Sequence, residues 1–238
     1  MAIQAVLLDL DDTILDENPG RAAARQLVMD SLCRSYPFVD PVAVGLVLDQ
    51  TNQHFWSSPR RHAWGRKNMP AARWLVLTHV LIKFGISETD IVEGLLDRYM
   101  ALRDAQMIFC PGAVVALKLL RRTYPKLGLL TNGGGRAQRA KITRFQLETY
   151  FDHIQVEEEF GKGKPDPAAF GNVLAKLEVP PEAAVMVGND WQADIIPALR
   201  LNMRAVHIDA ANSATEKLPA GCRRVAFLGD VPAVLEEM

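Results

Sequence analysis

The sequence has 238 residues, a mass of 26.4 kDa and a formal net charge of -1, with 23% charged and 49% hydrophobic residues. This length is typical of one large domain or of a core with a small insert. The composition is that of a folded globular protein and excludes disordered, collagen-like and coiled-coil chains. No apolar stretch approaches the roughly 18 residues that span a bilayer, and no signal peptide is recognisable, so we predict a cytoplasmic protein without a membrane partner. The balanced charge offers no basic face for a nucleic acid polymer. Three widely separated cysteines, Cys33, Cys110 and Cys222, indicate neither a disulfide framework nor a zinc site.

Short apolar stretches that end in polar residues predict buried strands. The first runs from Ile3 to Leu10, and the later ones are Leu127–Leu130, Ala184–Val187 and Arg204–Ile208. Helical patterns occur in the second half at Ala113–Arg122, Gly135–Phe145, Pro167–Leu177 and Asp194–Leu201. This alternation predicts an α/β fold with a doubly wound parallel sheet, in which ligands bind beyond the carboxyl ends of the strands.

A long helical segment separates the first predicted strand from the second. Its helical patterns are Gly20–Tyr36, Pro41–Phe55, Pro70–Phe84 and Glu88–Met107. A single crossover between strands needs far fewer residues than this. We therefore predict an inserted all-helical cap domain at residues 17–108, within a catalytic core of residues 1–16 and 109–238.

Acidic residues gather where the predicted strands end. Asp9 and Asp11 alternate along a strand, so their side chains point the same way. Together with Asp190 and Asp194 they would place several like charges close together, which is costly unless a cation neutralises them. Oxygen ligands favour a hard divalent cation, so the four aspartates are the predicted ligands of Mg²⁺.

Segments at these strand ends resemble, in order, the four motifs of the haloacid dehalogenase-like hydrolase superfamily, in its subclass with a small helical cap. They are Asp9-Leu10-Asp11-Asp12-Thr13, Leu129-Leu130-Thr131-Asn132-Gly133, Lys164-Pro165-Asp166-Pro167, and Val187-Gly188-Asn189-Asp190 with Asp194. The resemblance covers nearly the whole chain. Four motifs in the right order, each beside a predicted strand end, are a specific signal.

The resemblance implies a role for each motif. Asp9 would be the nucleophile that forms an aspartyl-phosphate, and Asp11 the general acid and base. Thr131, Asn132 and Gly133 would bind the phosphoryl group, and Lys164 would offset its charge. Dehalogenases of the superfamily lack an acid at the position of Asp11, so the resemblance favours phosphoryl chemistry.

Two positions leave alternatives open. In the fourth motif, Asn189 holds the place where the superfamily often has aspartate, and Asp190 follows; we predict that Asp190 is the metal ligand, with Asp194 behind it. In the third motif, Lys162 lies two residues before Lys164, and the Lys-Pro-Asp-Pro context favours Lys164.

The sequence thus predicts a Mg²⁺-dependent phosphatase of a small phosphorylated metabolite, such as a nucleoside monophosphate, sugar phosphate or sugar-acid phosphate. A phosphomutase and a catalytically idle phosphometabolite-binding module are the alternatives. A basic run in the insert, with Arg60, Arg61, His62, Arg66 and Lys67, is a solvated helix face or a contact to the substrate. Both a monomer and a homodimer are compatible with the sequence.

Overall fold

The computed structural model describes residues 2–210 and 218–238. The chain forms two compact units, one of Met1–Asp16 with Ile108–Met238 and the other of Glu17–Met107. The first unit contains the parallel sheet, and the second is built from helices.

A six-stranded parallel sheet organises the first unit. Its strands are β1 (Ala5–Leu8), β4 (Lys126–Thr131), β5 (His153–Val156), β6 (Ala184–Gly188), β7 (Arg204–Ile208) and β8 (Cys222–Val225), while β2 (Leu15–Asp16) and β3 (Ile108–Phe109) form a separate antiparallel pair. The strand order is β5-β4-β1-β6-β7-β8. The apolar strand β1 is fully buried because it pairs with β4 on one side and β6 on the other.

Helices and turns connect the strands of this unit: α6 (Ala113–Thr123), α7 (Gly135–Arg144), α8 (Glu157–Phe160), α9 (Pro167–Leu177), α10 (Ile196–Arg200) and α11 (Val231–Glu236). Phe170 and Val173 of α9 lie in a buried cluster with Leu7 of β1 and Met186 of β6. Burial of these side chains fixes the strand ends from which the motif residues project.

Asp152 ties the start of β4 to the segment before β5. Its Oδ2 accepts hydrogen bonds from the backbone N of Leu127 at 2.8 Å and from Arg121 Nη1 at 2.6 Å. Burial alone would raise the pKa of Asp152, but the hydrogen bonds from Leu127 and Arg121 outweigh it and lower the pKa.

The second unit consists of α1 (Asn18–Ser35), α2 (Pro41–Ser57), α3 (Pro59–Lys67), α4 (Met69–Lys83) and α5 (Thr89–Ala105). Proline occupies the first turn of the first four, where its missing N–H costs no hydrogen bond. Asp40 and Ser58 accept backbone hydrogen bonds at the N-termini of α2 and α3. The unit has its own apolar core, which includes Leu32, Val80 and Leu81.

The predicted α/β class with a parallel sheet is confirmed, but several predicted elements were wrong or missing. The sequence analysis did not predict strands β2, β3, β5 and β8 or helices α3, α8 and α11. The helix expected from Asp194 instead begins as a π-helical turn at Trp191–Ile195, followed by α10. In the described part of the chain, no helix is both long and apolar enough to cross a membrane.

Candidate active site

The motif residues of the first unit meet at the carboxyl edge of the sheet. Asp9 follows the central strand β1, and its backbone N–H donates to the carbonyl of Val187 in β6. Thr131 ends the neighbouring strand β4, and Asn189 follows β6. The parallel register of three adjacent strands therefore brings residues distant in sequence to one edge.

A lysine lies between two buried carboxylates at this edge. Lys164 Nζ is 2.5 Å from Asp9 Oδ1 and 2.7 Å from Asp194 Oδ1. All three residues are buried, with relative exposures of 2% for Lys164, 8% for Asp9 and 0% for Asp194. Lys162, by contrast, is 56% exposed and lies 3.8 Å from Asp166. The structure thus places Lys164, and not Lys162, beside the predicted nucleophile.

These three charges perturb one another strongly. Burial, helped by the charge of Asp194, raises the pKa of Asp9 to about 7 against the attraction of Lys164. Burial alone would lower the pKa of Lys164, but the carboxylates of Asp194 and Asp9 outweigh it and raise the pKa to about 12. Two carboxylates share one ammonium, so the cluster keeps an excess of negative charge that favours uptake of a cation.

Two residues that the sequence interpretation missed hold Asp11. Lys141 Nζ lies 2.7 Å from Asp11 Oδ1, and Gln138 Nε2 donates to Asp11 Oδ2 at 2.9 Å. Both come from α7, three residues apart, and therefore lie on the same helix face. The only signal for them in the sequence is their position on the helix that follows the Thr131-Asn132-Gly133 motif.

The second motif is fixed by side chains from its surroundings. Thr131 is 1% exposed, and its Oγ1 lies 2.8 Å from Gln138 Nε2. The side chain of Asn132 bonds both backbone groups of Lys164: its Oδ1 accepts from the N–H and its Nδ2 donates to the carbonyl, each at 2.8 Å. The backbone N–H of Gly133 donates to Glu157 Oε2. Asn132 therefore positions the backbone from which the Lys164 side chain projects.

The fourth motif gives its two aspartates structural partners. Asp190 Oδ1 accepts from the backbone N–H groups of Gln192 and Ala193, both at 2.9 Å, and so caps the π-helical turn. Asp194 Oδ2 accepts from the backbone N–H of Asp190 at 3.0 Å. Gly188 allows this approach, because a Cβ at this position would lie 2.2 Å from Asp194 Oδ2.

The side chain of Asn189 instead lies near the predicted nucleophile Asp9, because both side chains contact Thr13. Thr13 Oγ1 lies 3.4 Å from Asp9 Oδ2 and 3.4 Å from Asn189 Oδ1. Among the described residues, no three histidine, cysteine or acidic side chains converge on a point that could hold a metal ion. The available donors nevertheless fit Mg²⁺, because Asp9 Oδ2 and the amide oxygen of Asn189 are hard oxygen ligands beside an excess of buried negative charge.

The basic run of the second unit is only partly described. Arg61 donates through Nη2 to the carbonyl of His54 and through Nε to that of Phe55, so its guanidinium closes the end of α2. Arg60 is exposed. The side chains of His62, Arg66 and Lys67 lie outside the described residues.

The fold and the four motif segments define a hydrolase with an aspartate-centred site. The haloacid dehalogenase-like hydrolase family matches residues 3–202 of this chain, so the chain belongs to that family. This confirms the resemblance and the prediction of a hydrolase.

Relatives and solved structures agree with the assignment. The chain is 24% identical over 208 residues to a glyceraldehyde 3-phosphate phosphatase of Pyrococcus furiosus, covering 86% of this chain and 80% of the relative. It is 28% identical over 249 residues to a phosphoserine phosphatase of Thermus thermophilus, covering 96% and 99%. The fold is similar to that of the putative HAD-hydrolase YfnB from Bacillus subtilis, a structure bound to magnesium, with a TM-score of 0.76, 21% identity and 99% of both chains covered.

Proposed function

We propose that this protein is a Mg²⁺-dependent phosphatase that hydrolyses a small phosphorylated metabolite through an aspartyl-phosphate on Asp9. The observation that carries the proposal is the position of the Lys164 ammonium between the carboxylates of Asp9 and Asp194. Asp11, two positions after Asp9, is held beside it by Lys141 and Gln138. A nucleophile, its counter-ion and a proton donor are the groups that phosphoryl transfer to a carboxylate requires.

In the first step, an oxygen of Asp9 attacks phosphorus while the bond from phosphorus to the ester oxygen breaks. The carboxyl group of Asp11 gives its proton to the departing alkoxide, which leaves as an alcohol. In the second step, Asp11 takes a proton from water, the water oxygen bonds to phosphorus, and the bond to Asp9 breaks to release inorganic phosphate. Lys164 and the Thr131–Gly133 loop offset the charge of the transferred group.

Mg²⁺, when bound, would neutralise charge on the transferred group and orient it for in-line attack. Asp9 Oδ2, the backbone carbonyl of Asp11 and Asn189 Oδ1 are the proposed ligands. Asp190 was the predicted ligand, but its Oδ1 accepts two backbone hydrogen bonds as a helix cap, whereas Asn189 Oδ1 faces the hydroxyl that also neighbours Asp9. We therefore propose Asn189 in its place, with Asp194 acting through Lys164.

The metal assignment is tested by titrating Mg²⁺ into the protein calorimetrically. We expect Asn189→Ala to weaken Mg²⁺ binding about tenfold or more, since one oxygen ligand of a site with few protein ligands is lost. Asp190→Asn, which keeps a cap acceptor, should bind Mg²⁺ as the unmodified protein does. The reverse ranking would return the ligand role to Asp190.

The activity is tested by phosphate release in the presence of Mg²⁺ or EDTA. The substrates would include glyceraldehyde 3-phosphate, phosphoserine, ribulose 1,5-bisphosphate, nucleoside monophosphates and sugar-acid phosphates. We expect metal-dependent turnover that is lost in Asp9→Asn. Folded protein that releases no phosphate would refute the phosphatase, and transfer of the phosphoryl group to a second hydroxyl of the substrate would identify a mutase instead.

The helical unit is proposed to act as the cap domain that selects the leaving group, since the roles proposed for the core residues concern only the phosphoryl group and the metal. We also propose a cytoplasmic location, with a small metabolite as the partner and neither nucleic acid nor membrane. Light scattering on the purified chain would distinguish the monomer from the homodimer.

A further inference from the structure

The helical unit contains a cavity of about 570 Å³ bounded by residues of α1, α2, α4 and α5. Its walls are mostly apolar side chains such as Val28, Leu48 and Leu95, and Tyr99 adds a ring. Well-packed protein interiors leave few voids larger than a water molecule. A space of this volume falls in the range of small-molecule sites, which combine apolar walls with a few polar groups.

One of those polar groups is an arginine whose contacts among the described residues include no close ion pair with a carboxylate. Arg73 of α4 lines the cavity and is partly buried. Its Nη1 donates to the thioether Sδ of Met100 at 2.8 Å, and no carboxylate of the described residues forms an ion pair with it. A thioether is a weak acceptor, and a guanidinium carries five N–H donors. Burial lowers the pKa of Arg73, the charge of Arg103 lowers it further, and the attraction of Tyr99 and Glu17 does not offset this lowering.

The charged residues near Arg73 form ion pairs with one another. Glu17 pairs with Arg21 at 3.0 Å and lies 4.0 Å from Arg103. Asp104 accepts from Arg103 Nε and Nη2 at 2.8 Å and 2.6 Å. Glu17, whose charge attracts Arg73, thus forms ion pairs with Arg21 and Arg103 but, among the described residues, none with Arg73.

Two other arginines, Arg21 and Arg25, also line the cavity, and each forms an ion pair with a carboxylate. Arg25 forms a bidentate pair with Asp49, at 2.7 Å and 2.8 Å, and also donates to the carbonyl of Gly45. A positive charge that is partly buried without a counter-ion costs stability, and a protein gains when a ligand supplies the counter-ion. Arg73 and the apolar side chains line the same cavity, so a ligand that satisfies both carries an anionic group and an apolar body.

We propose that this cavity binds an organic anion, a carboxylate or phosphate group attached to an apolar body, with Arg73 pairing to the anionic oxygens. The guanidinium presents a planar fork of donors that matches a carboxylate or a phosphate in a bidentate pair. The apolar body then fills the space between α1, α2 and α5. This site is formed by residues of the helical unit alone, and it does not depend on the chemistry proposed for Asp9.

The test is isothermal titration of the full chain with 4-phenylbutyrate, a carboxylate that offers no phosphoryl group to the residues around Asp9. Two comparison ligands separate the two requirements: 4-phenylbutyramide keeps the apolar body without the charge, and acetate keeps the charge without the body. We expect both to bind at least tenfold more weakly than 4-phenylbutyrate. Equal binding of the amide would overturn the role of Arg73.

Variants of the chain complete the test. Arg73→Gln should lose at least tenfold in affinity, Arg73→Lys should retain part of it, and Arg34→Gln, at an exposed arginine of α1, should change nothing. Because the ligand-free protein carries an unpaired charge, Arg73→Gln should also raise the melting temperature. A lower melting temperature would mean that Arg73 is structural and would overturn the proposal.

A second variant keeps the test independent of Arg73. Ala22 is exposed on α1 and lines the cavity. Ala22→Phe should occupy the space of the apolar body from its outer side and abolish binding, with the melting temperature unchanged. Undiminished binding of 4-phenylbutyrate to this variant would show that the ligand lies elsewhere and would overturn the proposal.

Discussion

Substitution of Lys141 by Met should slow the reaction in a way that depends on the leaving group. Lys141 Nζ holds one oxygen of Asp11 at 2.7 Å, and Gln138 holds the other. A hydrogen bond to a charged group contributes about 1.5–3 kcal/mol, and about 1.4 kcal/mol corresponds to a factor of ten in rate. The Asp11 side chain is 30% exposed and keeps its bond to Gln138, so we expect the lower end, a loss of about tenfold in kcat/KM.

The assay compares an alkyl phosphate with p-nitrophenyl phosphate. Since kcat/KM reports the steps up to departure of the alcohol, hydrolysis of the proposed aspartyl-phosphate does not enter the comparison. In the proposed mechanism an alkoxide needs the proton of Asp11 to leave, whereas p-nitrophenolate leaves without one, so only the alkyl substrate should react more slowly. Lys141→Arg should recover part of the rate, and Lys118→Met, at an exposed lysine of α6, serves as the control. An equal loss with both substrates would refute a role for Lys141 in positioning the proton donor.

Lys164→Met leaves two buried carboxylates without their counter-ion, and urea denaturation at pH 7 should show a loss of about 3–5 kcal/mol, whereas unchanged stability would contradict the shared ion pair. Asp152→Asn should cost about 1 kcal/mol at pH 7. Because the fold lowers the pKa of Asp152, this difference should shrink as the pH falls below the ordinary value of 3.8, and a difference that grows in acid would be inconsistent with the sign. Gly112→Ala forces a side chain into a backbone with φ of +73° and places its Cβ 2.7 Å from the Cα of Gly229, so it should cost about 2–4 kcal/mol. Gly161→Ala, with φ of +84° and no described atom within 4 Å of the new Cβ, should cost about 1 kcal/mol, and similar thermal denaturation of both variants would argue against the close contact.

The sheet was predictable where its strands are buried and apolar. Continuous hydrophobic runs ending in polar residues located β1, β4, β6 and β7, because a strand covered on both faces needs such a run. The two edge strands, β5 and β8, were not predicted. Strand β8 carries Arg223 and Arg224 in its middle, and His153 and Gln155 interrupt β5, so neither strand presents an apolar run.

The site was predictable where a motif residue follows a strand, and not where a contact crosses the fold. Motif order predicts Asp9 and Lys164 at one site, and their side chains lie 2.5 Å apart. Gln138 and Lys141 contact Asp11 from 127 and 130 positions away in the sequence. The sequence of an ordinary helical turn does not indicate which distant residue its side chains contact. Asp190 has the right chemistry for a metal ligand, but two free N–H groups at the start of the π-helical turn engage its Oδ1.

The central position of β1 sets an order of assembly during synthesis. Its partners are residues 126–131 and 184–188, so β1 leaves the ribosome long before either neighbour exists. The helical unit, with its own apolar core, is complete by Met107 and can fold while β1 is still unpaired. Closing the sheet then requires long-range pairing, which is slow. The nascent chain therefore cannot assemble the candidate active site until Asp194 has emerged, and the apolar strand β1 stays without its partners for most of synthesis.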